Sequence, residues 1–175
     1  MALRRLAGAA TKELLDPWRL AAVVGLKVVD DEFFKVLERQ QGPELTLAGR
    51  NHWSGGVYPR PLPNGMLLCF LNPWHSRRRR KITLMEEILH VHLGHKPTKL
   101  ILSADGLEVR DFDRSQEAEA YGIGAAALIP WVTLFPELNK GSTIQDLAEA
   151  YDVTTQLVLY RIKITGAYRL YISRQ

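Results

Sequence analysis

The stretch over residues 76–93 reads as one helix, stopped by Gly94 with Pro97 beyond it, and this helix limits the fold more than any other part of the chain. Within it, Lys81-Ile-Thr-Leu-Met-Glu-Glu-Ile-Leu-His90 sets Glu86 and His90 four residues apart, which is one turn apart on one helix face. This is the H-E-x-x-H pattern of metallohydrolase helices with a glutamate in the first histidine's place. In that pattern the two outer residues hold a metal. The glutamate after the first of them, here Glu87, acts as general base toward the water that the metal acidifies. A carboxylate binds zinc as an imidazole does, so Glu86 and His90 are candidate ligands, and a third must come from elsewhere. Glu119, at the opening of a later helix of small residues, is the candidate; Glu117, two positions before it, is expected to face the other way. A glutamate and a histidine at this spacing also form an ordinary surface pair, so the pattern needs a second signal.

His92 and His95 offer a rival ligand set with His90. Two positions on a helix are about 200° of rotation, so His90 and His92 cannot chelate together while the helix continues. His92 is therefore expected to face solvent. His95 is expected to act as a cation near the helix C-terminus, where the helix dipole favours it.

With 175 residues and 46% apolar composition, the chain can bury one core, with or without a small appended module. Its formal charge of +4 is mildly basic, and Arg77, Arg78, Arg79 and Arg80 lie together. Four consecutive arginines at a helix start oppose the helix dipole, which calls for an acidic partner in this chain or another molecule. The single cysteine, Cys69, lies inside the apolar run 66–71, which excludes an internal disulfide framework and a thiolate zinc cluster and suits a reducing cytoplasm. Residues 1–15 are too interrupted for a signal peptide. The uncharged run 120–135 falls short of the ~20 residues that span a bilayer and contains Gly122, Gly124 and Pro130, so it reads as a buried helix and no membrane partner is expected.

Elsewhere, Asp16 and Pro17 announce a helix with Leu20, Ala21 and Val24 on one face, ending at Gly25. Residues 26–29 read as a strand, and residues 30–41 as a helix or an irregular excursion. Between residues 44 and 71, short apolar runs broken by turn residues predict two to four strands of a small antiparallel sheet: 45–48, within 51–58, and 66–71, with 59–65 as a loop. Residues 99–103 read as a further strand, Asp105-Gly106 as a turn, and 118–128 as the small-residue helix. From Ser142 the pattern is helix, short turn at Asp152 and Val153, and helix again, with Leu147, Ala148, Val153 and Val158 as internal contacts.

The residues that carry these readings resemble a known family. Arg79-Arg80-Lys81 followed by Thr83-Leu-Met-Glu-Glu-Ile-Leu-His90, then Glu117-Ala-Glu-Ala-Tyr-Gly-Ile-Gly-Ala-Ala-Ala-Leu-Ile-Pro130, is similar to the paired motifs of the ImmA/IrrE metallopeptidases, R-x-R-F-T-L-A-H-E-L-G-H and E-x-E-A-N-x-F-A-A-x-L-L-M-P. The resemblance runs over about residues 16–166. It implies an α+β, zincin-like core at 16–136, a small antiparallel sheet packed on an active-site helix, with helix-turn-helix-like helices at 142–166 packed on it. It also implies His90 and Glu119 as metal ligands, Glu87 as general base, and Glu86 at the first-histidine position. Family members are cytoplasmic zinc peptidases that cleave repressor proteins in phage, mobile-element and stress-response systems. Glu86, Met85 and Leu89 depart from the motif, the last two by adding bulk.

Two carboxylates and one imidazole would neutralise a divalent ion, whereas a His-His-Glu set leaves a positive centre that acidifies water more strongly. The expected outcome is weaker hydrolysis, or manganese in place of zinc. Two functions follow: a metal-dependent endopeptidase acting on a transcriptional repressor, or a catalytically weakened relative serving as a regulatory protein- or DNA-binding module. Of the partners, nucleic acid is the weaker candidate, since the second helix of the tail, 155–164, carries only Arg161 and Lys163 as basic residues.

Overall fold

The computed structural model describes residues 2–29, 31–41, 53–95, 100–102, 108–110 and 113–173. Helix α1 (Ala2–Leu6) leads to α2 (Pro17–Val23), strand β1 (Leu26–Val28) and α3 (Asp31–Gln41). Strands β2 (Gly55–Val57) and β3 (Leu67–Leu71) precede the long helix α4 (Arg77–His92). A hairpin of β4 (Leu100–Leu102) and β5 (Glu108–Arg110) then leads to α5 (Arg114–Leu128), α6 (Trp131–Asn139), α7 (Ile144–Ala150), α8 (Thr155–Ile164) and α9 (Tyr168–Ile172). The fold is α+β, as expected. The strand expected at 45–48 and the turn at Asp105-Gly106 lie outside the described residues.

The three-stranded sheet has the order β1-β3-β2. Strand β3 pairs antiparallel with β2, Gly56 opposite Phe70, but parallel with β1, Lys27 opposite Leu68. The sheet is therefore mixed, where an antiparallel one was expected, with α3 lying in sequence between β1 and the β2–β3 pair. Helix α4 crosses this sheet closely. A Cβ on Gly55 would stand 2.5 Å from the Thr83 methyl and 3.0 Å from the Phe70 carbonyl, so only glycine leaves room there.

Local signals account for most helix ends. Asp16 accepts from the Trp18 amide, with Pro17 at the first helical position. Ser76 accepts from Arg79 N at the start of α4, and Asp113 accepts from the Ser115 and Gln116 amides at the start of α5. At α7, Thr143 and Asp146 form a reciprocal capping box. One buried cluster joins the pieces, taking in Leu3 of α1, Leu20 of α2, Leu71 of β3, Leu84 and Ile88 of α4, Ala125 of α5, Leu134 of α6, and Leu147, Val153, Leu157 and Ile162 of the tail.

Charged groups fasten this core at two places. Arg4 donates to Ala127 O at 2.8 Å and Arg161 Nε donates to Ile129 O at 3.2 Å, so two buried guanidinium groups satisfy carbonyls at the C-terminal end of α5. Lys81, 4% exposed, donates to the carbonyls of Tyr151 and Asp152 and pairs with the Asp152 carboxylate, and Arg78 reaches that carboxylate at 3.2 Å. This ties the turn between α7 and α8 to α4. No single helix among the described residues is long and apolar enough to cross a membrane, and the uncharged run is two helices, α5 and α6, bent by 63° at the break.

Candidate active site

Helix α4 is buried on most sides, through Lys81, Thr83, Leu84, Met85, Ile88 and Leu89. Glu86, Glu87 and His90 occupy the half-buried remainder. Helix α5 closes over part of that face. A Cβ on Gly124 would stand 3.1 Å from Met85 Cγ and 3.3 Å from Leu89 Cδ1, so the bulk that Met85 and Leu89 bring to α4 is accommodated by a glycine on its neighbour. The interface stays tight, and the start of α5 lies beside the end of α4.

That packing decides which carboxylate reaches His90. The His90 Nε2 faces Glu117 Oε1 at 3.5 Å, whereas Glu119 lies 3.2 Å from His95 Nε2. Glu117, expected to face away, is the residue beside His90, and Glu119 stands one step further out. The reason is helical phase. Glu117 precedes Gly124 by seven residues, two turns, and so shares the face that the glycine presses against α4. Taken from the glycine, the same sequence points to Glu117.

His95 arrives by another local rule. Leu93 caps α4, and Gly94 follows at φ +67°. The His95 amide then donates to His90 O at 2.9 Å and the Gly94 amide to Val91 O at 3.2 Å, the pair of bonds that ends many helices on a left-handed glycine. Such an ending lays the residue after the glycine onto the residue five back. Here the two are imidazoles, with Nδ1 to Nδ1 at 3.0 Å and ring centroids 5.0 Å apart. The His95 side chain, 8% exposed, is thus a partner of His90, while His92 is exposed as expected.

The electrostatics of Glu86 all act in one direction. Burial, then the nearby carboxylates of Glu87 and Glu117, push its carboxyl up to about 7. Tyr121 on α5 is raised by burial and by Glu86, and Cys69 on β3 is raised by burial and by Glu87. Glu86 is therefore electrostatically linked to α5 and Glu87 to the sheet. His90 is lowered by burial, with His95 acting in the same sense and Glu117 against it.

These donors suit a divalent ion in kind. The 3.5 Å between His90 Nε2 and Glu117 Oε1 is long for a hydrogen bond but close to the roughly 3.4 Å between two ligand atoms of a tetrahedral zinc. Among the described residues no three His, Cys, Asp or Glu side chains converge as a ready-made metal group. What the structure supplies is one ligand pair at the right separation and a third donor, the carboxylate of Glu86, electrostatically linked to Glu117.

The arginine run is spent largely inside the chain. Arg80 makes a two-pronged pair with Asp31 of α3 at 2.7 and 2.9 Å, Arg78 takes Asp152, Arg79 reaches Ser54 Oγ at 3.4 Å, and Arg77 lies over the Trp18 ring at 5.4 Å. The acidic partners that the run called for are thus found on α3 and in the tail's turn.

A helix bearing Glu-Glu-x-x-His, laid on a small sheet and faced by an acidic turn of a second helix, is the architecture of a zincin-like domain. Residues 55–163 match the IrrE N-terminal-like domain of the M78 peptidases, and the chain belongs to that metallopeptidase family. No curated protein and no solved structure gives a significant match.

Proposed function

We propose that the chain is a metal-dependent endopeptidase acting on a protein in the cytoplasm, by the family resemblance a transcriptional repressor. Zinc is the first candidate for its metal and manganese the second. Glu86 and His90 hold the ion together with a carboxylate of α5. The paired motifs point to Glu119 for that role, whereas the contact geometry supports Glu117, since Glu119 is taken up by His95. Bound there, the ion supplies Lewis acidity to a peptide carbonyl and to water.

Glu87 does the proton work. It follows Glu86 on α4 and acts electrostatically on Cys69 of β3, and its role is that of a neighbour of the ligands and not of a ligand. It accepts the proton lost by water as oxygen adds to the carbonyl carbon, and returns it to the departing amine nitrogen. The observation that carries this reading is the approach of His90 Nε2 to Glu117 across the α4–α5 interface, one turn from Glu86.

The test is cleavage of a proteome-derived peptide library, read by mass spectrometry, with zinc or manganese added. Cleavage is expected from the wild type and is expected to vanish with chelator and with Glu87→Gln. Cleavage that persists in Glu87→Gln, or that is the same in chelator, would overturn the reading.

A further inference from the structure

We infer that His95 and Glu119 form an orienting pair that sets the tautomer of His90 and so decides which of its ring nitrogens is free to bind. The inference rests on the proposal that His90 is a metal ligand, and it goes beyond that proposal by giving two residues a positioning role.

Hydrogen-bond bookkeeping along the chain of contacts leads there. An ionised carboxylate only accepts, so His95 Nε2, facing Glu119 Oε2 at 3.2 Å, carries the hydrogen. If that is the only ring hydrogen of His95, its Nδ1 is bare. That atom lies 3.0 Å from His90 Nδ1, and one of two nitrogens at this distance must donate, so His90 carries its hydrogen on Nδ1. His90 Nε2 is left with a lone pair, and it is the nitrogen that faces Glu117. Metal-binding histidines commonly donate their second N–H to an acceptor in this way, and losing that acceptor costs about 10- to 100-fold in metal affinity.

The pair is built into the backbone. The bonds from His95 N to His90 O and from Gly94 N to Val91 O fix the ring's approach, and the His95 side chain is only 8% exposed. Glu119, at 54% exposed, can be altered with little effect on the core.

Nitrogen-15 spectra of the histidine rings in metal-free, full-length protein read the tautomer directly, and zinc titration against a chelating dye reads affinity. Wild type is expected to show His90 protonated on Nδ1. In His95→Phe that preference is expected to be lost and zinc affinity to fall at least tenfold, with recovery in His95→Gln, whose amide oxygen can accept. Glu119→Ala, which leaves the buried ring in place, is expected to give a mixed His90 tautomer and an intermediate loss of affinity. If His90 keeps its Nδ1 hydrogen in both His95→Phe and Glu119→Ala, the inference is wrong. If Glu119→Ala abolishes zinc binding altogether, Glu119 is a ligand and the inference is likewise wrong. If wild type binds no zinc while the His90 tautomer still responds to both substitutions, the orienting pair stands and the metal reading fails.

Discussion

Replacing Glu86 with glutamine should remove one source of the stability this protein loses as pH rises. In the folded chain the Glu86 carboxyl is pushed from an ordinary 4.5 up to about 7, first by burial and then by Glu87 and Glu117. Between those two pH values the folded state holds more protons at this site than the unfolded state does. Stability therefore falls as pH rises through the interval, and the loss is complete above the folded value. A rise of that size corresponds to roughly 3 kcal/mol. Glutamine has nearly the shape of the protonated acid and cannot ionise, so Glu86→Gln escapes the loss. In chelator the two proteins should be similarly stable at pH 4, and the variant should be the more stable at pH 8 by up to about 3 kcal/mol, or roughly 6–12 °C in Tm for a chain of this size. Urea unfolding of both proteins across that range isolates Glu86 and the carboxylates it acts on, since titrating groups not coupled to it cancel in the difference. Saturating zinc should reverse the order at pH 8, because an ion held by the carboxylate stabilises the wild type by mass action. A difference between the two proteins that stays flat from pH 4 to pH 8 would refute the placement of Glu86 among carboxylates.

Two further outcomes concern the scaffold. Lys81→Met should lower stability by about 2–4 kcal/mol in chemical unfolding, because it strips the Tyr151 and Asp152 carbonyls and the Asp152 carboxylate of a buried donor. Wild-type stability in that variant would show that the tail's turn is not held through α4. Gly55→Ala should cost about 1–3 kcal/mol, with part recovered in Gly55→Ala/Thr83→Ser, since the Thr83 methyl is the nearer obstacle and the Phe70 carbonyl remains. Purely additive effects in that double-mutant cycle would mean that β2 does not press on α4 there.

What the sequence discloses here depends on how locally each feature is determined. The ends of α4 fall within a residue of the expected 76–93 because Ser76 and Gly94 act through neighbouring backbone groups. The same holds for α2 behind Asp16 and for the tail, where Thr143 and Thr154 open α7 and α8. The direction of β1 against β3 was not legible, since three-residue strands carry no signal for parallel or antiparallel pairing, and α3 remained open for want of a decisive pattern. At the site, the spacing of Glu86, Glu87 and His90 was plain, while the choice between Glu117 and Glu119 depended on the phase of α5. That helix begins at Arg114, four residues before the expected start, and its rotation is set by Gly124 against Met85 and Leu89. The contact of His95 with His90 was not legible for a related reason, because it follows from how Gly94 ends the helix. Arg161, one of only two basic residues on the second helix of the tail, turns inward to Ile129 O, a use that sequence periodicity does not display.

The central claim is that Glu86, a carboxylate where the motif has histidine, still serves with His90 in a metal site. Elemental analysis of full-length protein purified without added metal, then dialysed against zinc and washed, tests it most directly. The account predicts about one divalent ion per chain in the wild type and a large loss in both His90→Ala and Glu86→Ala. A wild type without stoichiometric metal, or a Glu86→Ala protein that retains a full complement, would contradict it.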